Sequence, residues 1–314
     1  MKKLLSAAAA ILASACILTG CNEKDGKIKI GIIQYVEHPA LDKSYKGFVD
    51  GLAEAGYIDG QNISIDYQNA QNEPSNCVTI GNKFVNDKDD LILAIATPAA
   101  QAVANLTKDI PILVTAVTDP ESAKLVKSNA KPETNVSGTS DLTPVAEQIK
   151  LLKKIVPNAK TVGLLYCSAE ANSIFQLGLA KAACDANGLQ YIESSVSASN
   201  EIQQVTQSLV GKVDALYVPT DNMFAAGIAN VAMVATAAKL PVICGEEGMV
   251  SSGGLATYGI NYYELGKQTA VQAVAILRDG KKPADMPIEY LEKCDLSVNK
   301  ETAAAIGIEI PADL

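Results

Sequence analysis

The chain has 314 residues, 48% of them hydrophobic and 19% charged, which sets a prior of two domains with ample apolar material for buried cores. Its 35 acidic side chains against 26 basic ones give a formal charge of −9, so it lacks the basic footprint that nucleic acid binding requires. Arg278 is the sole arginine and His38 the sole histidine, which leaves every histidine-dependent mechanism to one side chain.

The first twenty residues read as an address. Lys2 and Lys3 precede an apolar run from Leu4 to Ile17, and Leu18-Thr19-Gly20-Cys21 follows. A charged start, a short apolar core and small residues at the exit describe a secretory signal. The run is shorter than the ~20 apolar residues that a membrane span needs. The Leu-Thr-Gly-Cys ending resembles the lipobox of bacterial lipoproteins, which implies cleavage before Cys21 and lipid on its thiol. Residues 1–20 are then the signal peptide and 21–27 a polar tether, and the body sits outside the cytoplasm, held to a membrane by the lipid anchor only.

Beyond the tether, β-branched runs predict strands at Ile28–Gln34, Ile63–Asn69, Leu91–Ala96, Ile112–Val117, Val136–Thr139, Thr161–Tyr166, Gln190–Ser195, Ala215–Pro219, Val242–Gly245 and Ala256–Ile260. Several are apolar on consecutive residues, which suits strands buried on both faces of a parallel sheet. Helical patterns lie between them at Asp42–Ala55, Pro144–Val156 (with Thr143 as N-cap), Asn172–Asn187, Asn222–Lys239 and Tyr262–Arg278. Alternation of this kind predicts an α/β fold with parallel sheets. About ten strands are at the limit for one open sheet, so the strands are divided between two domains. The segments opening at Lys27 and Lys160 echo each other, and Gly138–Asp141 is the expected hinge.

In open α/β sheets, ligands bind beyond the carboxyl ends of the strands. The residues found there are Tyr35, Glu37 and His38; Thr97, Pro98 and Ala99; Thr118 and Asp119; Ser140 and Asp141; Tyr166, Asn172 and Ser173; Asp221 and Asn222; and Glu246. The turns at Thr97-Pro98 and Ser168–Ser173 offer free helix N–H groups to an anion without arginine. Asp119, Asp141, Asp221 and Glu246 suit a ligand ammonium, and Tyr35 and Tyr166 suit a flat group. Tyr262 and Tyr263 read as packing residues, and Arg278 as a favourable charge at a helix C-terminus. No nucleophile elbow, phosphate loop, dinucleotide fingerprint or zinc motif occurs, so the chain reads as neither an enzyme nor a cofactor or metal protein. Beyond Cys21 come Cys77, Cys167, Cys184, Cys244 and Cys294, an odd number with no C-x-x-C pair. They read as small buried hydrophobes. Cys167 and Cys184, one after a strand and the other on the next helix, are the one candidate disulfide pair.

The stretches Glu37–Asp42, Thr97–Gln101, Val117–Pro120, Gly138–Asp141, Pro219–Asn222, Ala256–Gly266 and Lys281–Pro287 together resemble the ABC-importer solute-binding lipoproteins, in the branch that includes tryptophan- and tyrosine-type binding proteins. The resemblance spans nearly the whole mature chain. It implies two Rossmann-like lobes of the type I periplasmic binding protein kind, joined by three crossovers near Ser140, Asn261 and Pro287. Lobe 1 is then 28–140 with 261–286, and lobe 2 is 141–260 with 287–314. It further implies a monomer that traps an amino acid, an aromatic one first, by hinge closure and delivers it to an ABC permease and its ATPase. Thr97–Ala99 would take the ligand carboxylate and Asp221 the amino group. A branched-chain amino acid, another small carboxylate, or a sensing role beside a membrane receptor or kinase are the alternatives.

Overall fold

The computed structural model describes residues 26–314. The expected signal peptide and Cys21 lie outside the described residues. Two six-stranded sheets form the body. The first has the order β11-β5-β4-β3-β1-β2, from Ile28–Gln34 (β1), Ile63–Asn69 (β2), Leu91–Ile95 (β3), Ile112–Val117 (β4), Val136–Ser140 (β5) and Glu289–Tyr290 (β11). The second has the order β12-β10-β9-β8-β6-β7, from Thr161–Cys167 (β6), Gln190–Val196 (β7), Ala215–Val218 (β8), Val242–Cys244 (β9), Ala256–Gly259 (β10) and Asp295–Val298 (β12). Every pairing is parallel except β10 with β12. The α/β fold with two parallel sheets is therefore as the alternation required.

The ten expected strands are all present, with ends that move by a residue or less. The two unexpected strands, β11 and β12, are short, partly exposed and lack an apolar run, so they carry no periodic signal. The chain passes between the sheets after β5, after β10 and after β11. Because β11 pairs with β5, the last passage lies between Tyr290 and Asp295 and not at Pro287.

The expected helices correspond to Pro39–Glu54 (α1), Val145–Ile155 (α4), Ala171–Ala186 (α5), Asn222–Ala237 (α7) and Tyr262–Asp279 (α9). Five more complete the layers: Pro74–Asp87 (α2), Thr97–Leu106 (α3), Ile202–Leu209 (α6), Glu247–Ser251 (α8) and Lys300–Ile306 (α10). Thr143 does not cap α4: Pro144 holds that position, and the Thr143 hydroxyl is buried without a partner. Arg278 lies in the last turn of α9 and pairs with Asp279.

One core wraps the first sheet and two line the opposite faces of the second. Leu165 and Cys167 face one of these, Leu164, Tyr166 and Cys184 the other, as the two-residue period of a strand demands. The five cysteines among the described residues are free, and Cys167 and Cys184 sit on opposite sides of the sheet, so they do not pair. Helices α1 and α9 pack at very close range. A Cβ at Gly47 would run into the carbonyl of Tyr263, and one at Gly266 into the carbonyl of Ser44. Gly47→Ala or Gly266→Ala should therefore lower stability by about 1–3 kcal/mol, read as a fall in denaturant midpoint. An unchanged midpoint would mean that the helices separate at no cost.

Candidate functional site

The carboxyl ends of both sheets face one cleft. The loops after β1, β4 and β5 meet those after β6, β8 and β9. They enclose a cavity lined by His38, Thr118, Asp141, Asn172, Thr220, Asp221, Asn222, Glu246 and Tyr262, with Leu41, Ala116, Ala225 and Met249 as its apolar part. The space left is about 10 Å³, the lower limit for a single water. The lobes are thus shut on each other. Bonds cross the cleft directly: Thr118 Oγ1 lies 3.3 Å from Thr220 Oγ1, and His38 Nε2 lies 3.5 Å from Asn222 Oδ1. At the rim Lys43 faces Glu247 at 3.5 Å.

Four carboxyl groups are buried around this space: Glu170 and Asp221 are each 1% exposed, Glu246 2% and Asp141 4%. Each is fed by donors. Glu170 accepts from Met223 N at 3.0 Å and Asn172 Nδ2 at 3.1 Å, and also from the Asn222 amide. Asp221 caps α7 by accepting from Phe224 N at 2.8 Å, and also accepts from Cys167 N at 2.5 Å and from Ser173. Glu246 caps α8 through Gly248 N and Met249 N. Tyr262 Oη donates to Asp141 Oδ2 at 2.8 Å. No lysine or arginine reaches these four carboxyls through a salt bridge among the described residues. Three buried polar atoms of the lining have no partner: Asp141 Oδ1, Asn172 Oδ1 and His38 Nδ1. Thr97 Oγ1, at the start of α3, is also unpartnered. Unmet hydrogen-bonding capacity in a buried site is costly unless something else fills it. Strain gathers here too: Ala96 and Ala116, where β3 and β4 reach the cleft, have φ of 80° and 53°.

Of the residues expected to bind a ligand, the fold brings Thr118, Asp141, Asn172, Asp221, Asn222 and Glu246 to the cavity. Ser140 and Ser173 stand behind it, bonded to Thr118 O at 2.7 Å and to Asp221. Thr97, Pro98 and Ala99 form the first turn of α3, a helix that touches α5 of the opposite lobe. Four expected residues are elsewhere. Tyr166 points to the far face of its sheet. Tyr35 is packed in the first core with its hydroxyl on Asn72 O at 3.3 Å. Glu37 is exposed on an outer groove beside Tyr67. Asp119 organises its own turn, accepting from Ser122 N at 2.6 Å and Asn129 Nδ2 at 2.8 Å. Conversely, His38, Glu170 and Thr220 were visible in the strand-end loops but not distinguishable from caps. Tyr262 is a site residue and not mere packing. Gln176 lies in mid-helix, where nothing in the sequence marks it.

Burial lifts the Glu246 carboxyl from 4.5 to about 7 and that of Asp141 from 3.8 to about 6. Glu170 and Asp221 are also pushed up by burial, Glu170 further by the charge of Asp221. Burial lowers His38 from 6.5 to about 4. Closure of the empty cleft therefore takes protons onto carboxyls that ionise freely when open. Raised carboxyl values favour the closed state at low pH, and that contribution is lost as pH rises through 6 to 7. His38 acts oppositely, but only below 6.5. The radius of gyration of the ligand-free protein, by small-angle scattering, should rise from about pH 6 to about pH 8. A constant radius would rule out control of closure by these carboxyls.

The matches to known proteins agree on one family. Residues 29–314 match the family model of the ABC transporter substrate binding proteins. The chain is 44% identical over 322 residues to the tyrosine-binding protein of Clostridioides difficile (strain R20291), covering 98% of this chain and 93% of that protein. A Streptococcus pneumoniae ABC domain in complex with L-Trp superposes with a TM-score of 0.88 at 41% identity, over 91% of this chain and 97% of that one. A ligand-free, open substrate binding protein with adhesive properties from Clostridium difficile is more similar in sequence, at 49%, yet superposes at only 0.71 over the same shares. The lobes here thus stand as in the L-Trp complex and not as in the open protein. Match, fold and cleft lead to the same conclusion: the chain belongs to the ABC transporter substrate binding protein family.

Proposed function

We propose that this protein is the extracytoplasmic receptor of an ABC importer, binding an aromatic amino acid between its lobes and presenting the closed form to a membrane permease whose ATPase supplies the energy. The observation that carries the ligand class is the buried cavity in which Asp141 Oδ1 and Asn172 Oδ1 lack donors beside four carboxyls without a cation. An ammonium is a cation with three donors, and it matches both deficits. The first turn of α3, with Thr97 Oγ1 free and the N–H groups of Thr97 and Ala99 unused within the helix, suits the carboxylate. The aromatic side chain rests on similarity to the tyrosine-binding protein and the L-Trp complex. We assign lobe 1 to residues 28–140 with 261–290 and lobe 2 to 141–260 with 295–314, moving the last boundary to follow β11. The three linking segments form the hinge, and ligand shifts the population from open to closed.

The protein acts by stoichiometric capture, without catalysis, as a monomer. The lipobox-like Leu18–Cys21 supports a lipid anchor, which raises the local concentration at the permease. Among the described residues no helix is long and apolar enough to cross a membrane. A thermal-shift panel of amino acids, nucleosides and sugars on residues 22–314 tests the ligand class. A ligand at 100 times its Kd stabilises by about 2.7 kcal/mol. L-Tyr, L-Trp or L-Phe should shift the melting point; a response to sugars or nucleosides only would overturn the assignment. Asp141→Asn should weaken aromatic amino acid binding by about 10–150-fold, the loss expected for a hydrogen bond to a charged group. Calorimetric affinity unchanged by this substitution would exclude Asp141 as the ammonium partner.

A further inference from the structure

Gln176 is fully buried on α5, one side chain behind the cavity, and its orientation is fixed by chemistry. Its Oε1 accepts from Thr220 N at 3.2 Å, a group that can only donate, so the amide NH2 must occupy the other end. That NH2 donates to Thr220 Oγ1 at 2.6 Å. The Thr220 hydroxyl shares a hydrogen bond with Thr118 Oγ1, 3.3 Å away in the opposite lobe. Gln176 Nε2 itself lies 3.3 Å from the same Thr118 oxygen. Thr118 is thus met from lobe 2 by both Gln176 and Thr220. The chain runs from Gln176 through Thr220 to Thr118 and so bridges the two lobes. Such chains strengthen cooperatively in a low-dielectric interior.

We propose that Gln176 is a positioning residue for ligand capture. It anchors a hydrogen-bond chain that crosses the cleft only when the lobes are closed. The chain exists in the closed state and not in the open encounter state, so it governs departure of the ligand and not its arrival. The inference rests on the amino acid reading above.

The test is stopped-flow binding of L-Trp and L-Tyr to the full mature chain. Gln176→Met removes the source of the chain. Gln176→Glu keeps the shape but, when ionised, accepts where glutamine donates. Thr220→Val cuts the middle link while leaving the backbone contacts of Gln176 in place. Each should raise the dissociation rate by about tenfold and leave the association rate within about twofold. Thr220→Ser should recover most of the loss in Thr220→Val. The combination of Gln176→Met with Thr220→Val should cost little more than either alone, because both break one chain. Unchanged dissociation rates or multiplied effects in the double variant would overturn the proposal. Wild-type protein that binds neither L-Trp nor L-Tyr would instead overturn the ligand reading. The chain is then read in the empty protein by small-angle scattering: Thr220→Val should have a larger radius of gyration than Thr220→Ser, and equal radii would sink it.

Discussion

Among the described residues, four buried carboxyl groups gather at the cleft with no salt bridge to neutralise them. Backbone N–H groups and amide side chains satisfy most of their lone pairs, which makes burial tolerable but leaves the net charge in place. The rest of the site follows from this imbalance. The empty closed state costs protons to form, the open state relieves it by hydration, and under the proposed function a zwitterion with its ammonium inside relieves it without opening. One electrostatic deficit thereby couples conformation to occupancy. Closure is then a measure of the ligand's charge as much as of its shape.

The scaffold supplies the alignment. Parallel strands bring all of their carboxyl ends to one edge, and each is followed by a loop and a helix start. Asp221 and Glu246 serve first as caps of α7 and α8, and their placement at the cleft is a consequence of that role. The three linking segments hold the two edges opposite each other. Close packing of α1 on α9 through Gly47 and Gly266 fixes the helix that returns from lobe 2 against lobe 1, and with it Tyr262 beside Asp141. A loss of register at that glycine contact would displace a donor of the site.

The fold was legible because strand and helix periods differ, and apolar runs such as Leu91–Ile95 mark buried parallel strands. β11 and β12 were not legible, because two or four partly exposed residues carry no period. The site was legible to the level of loops. Asp141, Asp221 and Glu246 follow strands and could be named, whereas Tyr166 was misplaced by one residue of strand alternation, which turns it to the other face. Gln176 was invisible since a polar residue inside an amphipathic helix is ordinarily a solvated one. Only the approach of β4 and β8 loops from separate lobes gives it partners.

The buried thiols have a consequence for the reactivity of the folded chain. Burial pushes Cys77 and Cys184 up to about 11 and Cys167 up to about 12, and Cys167 and Cys184 are separated by the thickness of a sheet. None of these three presents a thiolate at neutral pH, and the thiolate is the form that oxidants attack. In the folded chain these three thiols therefore stand outside thiol–disulfide exchange.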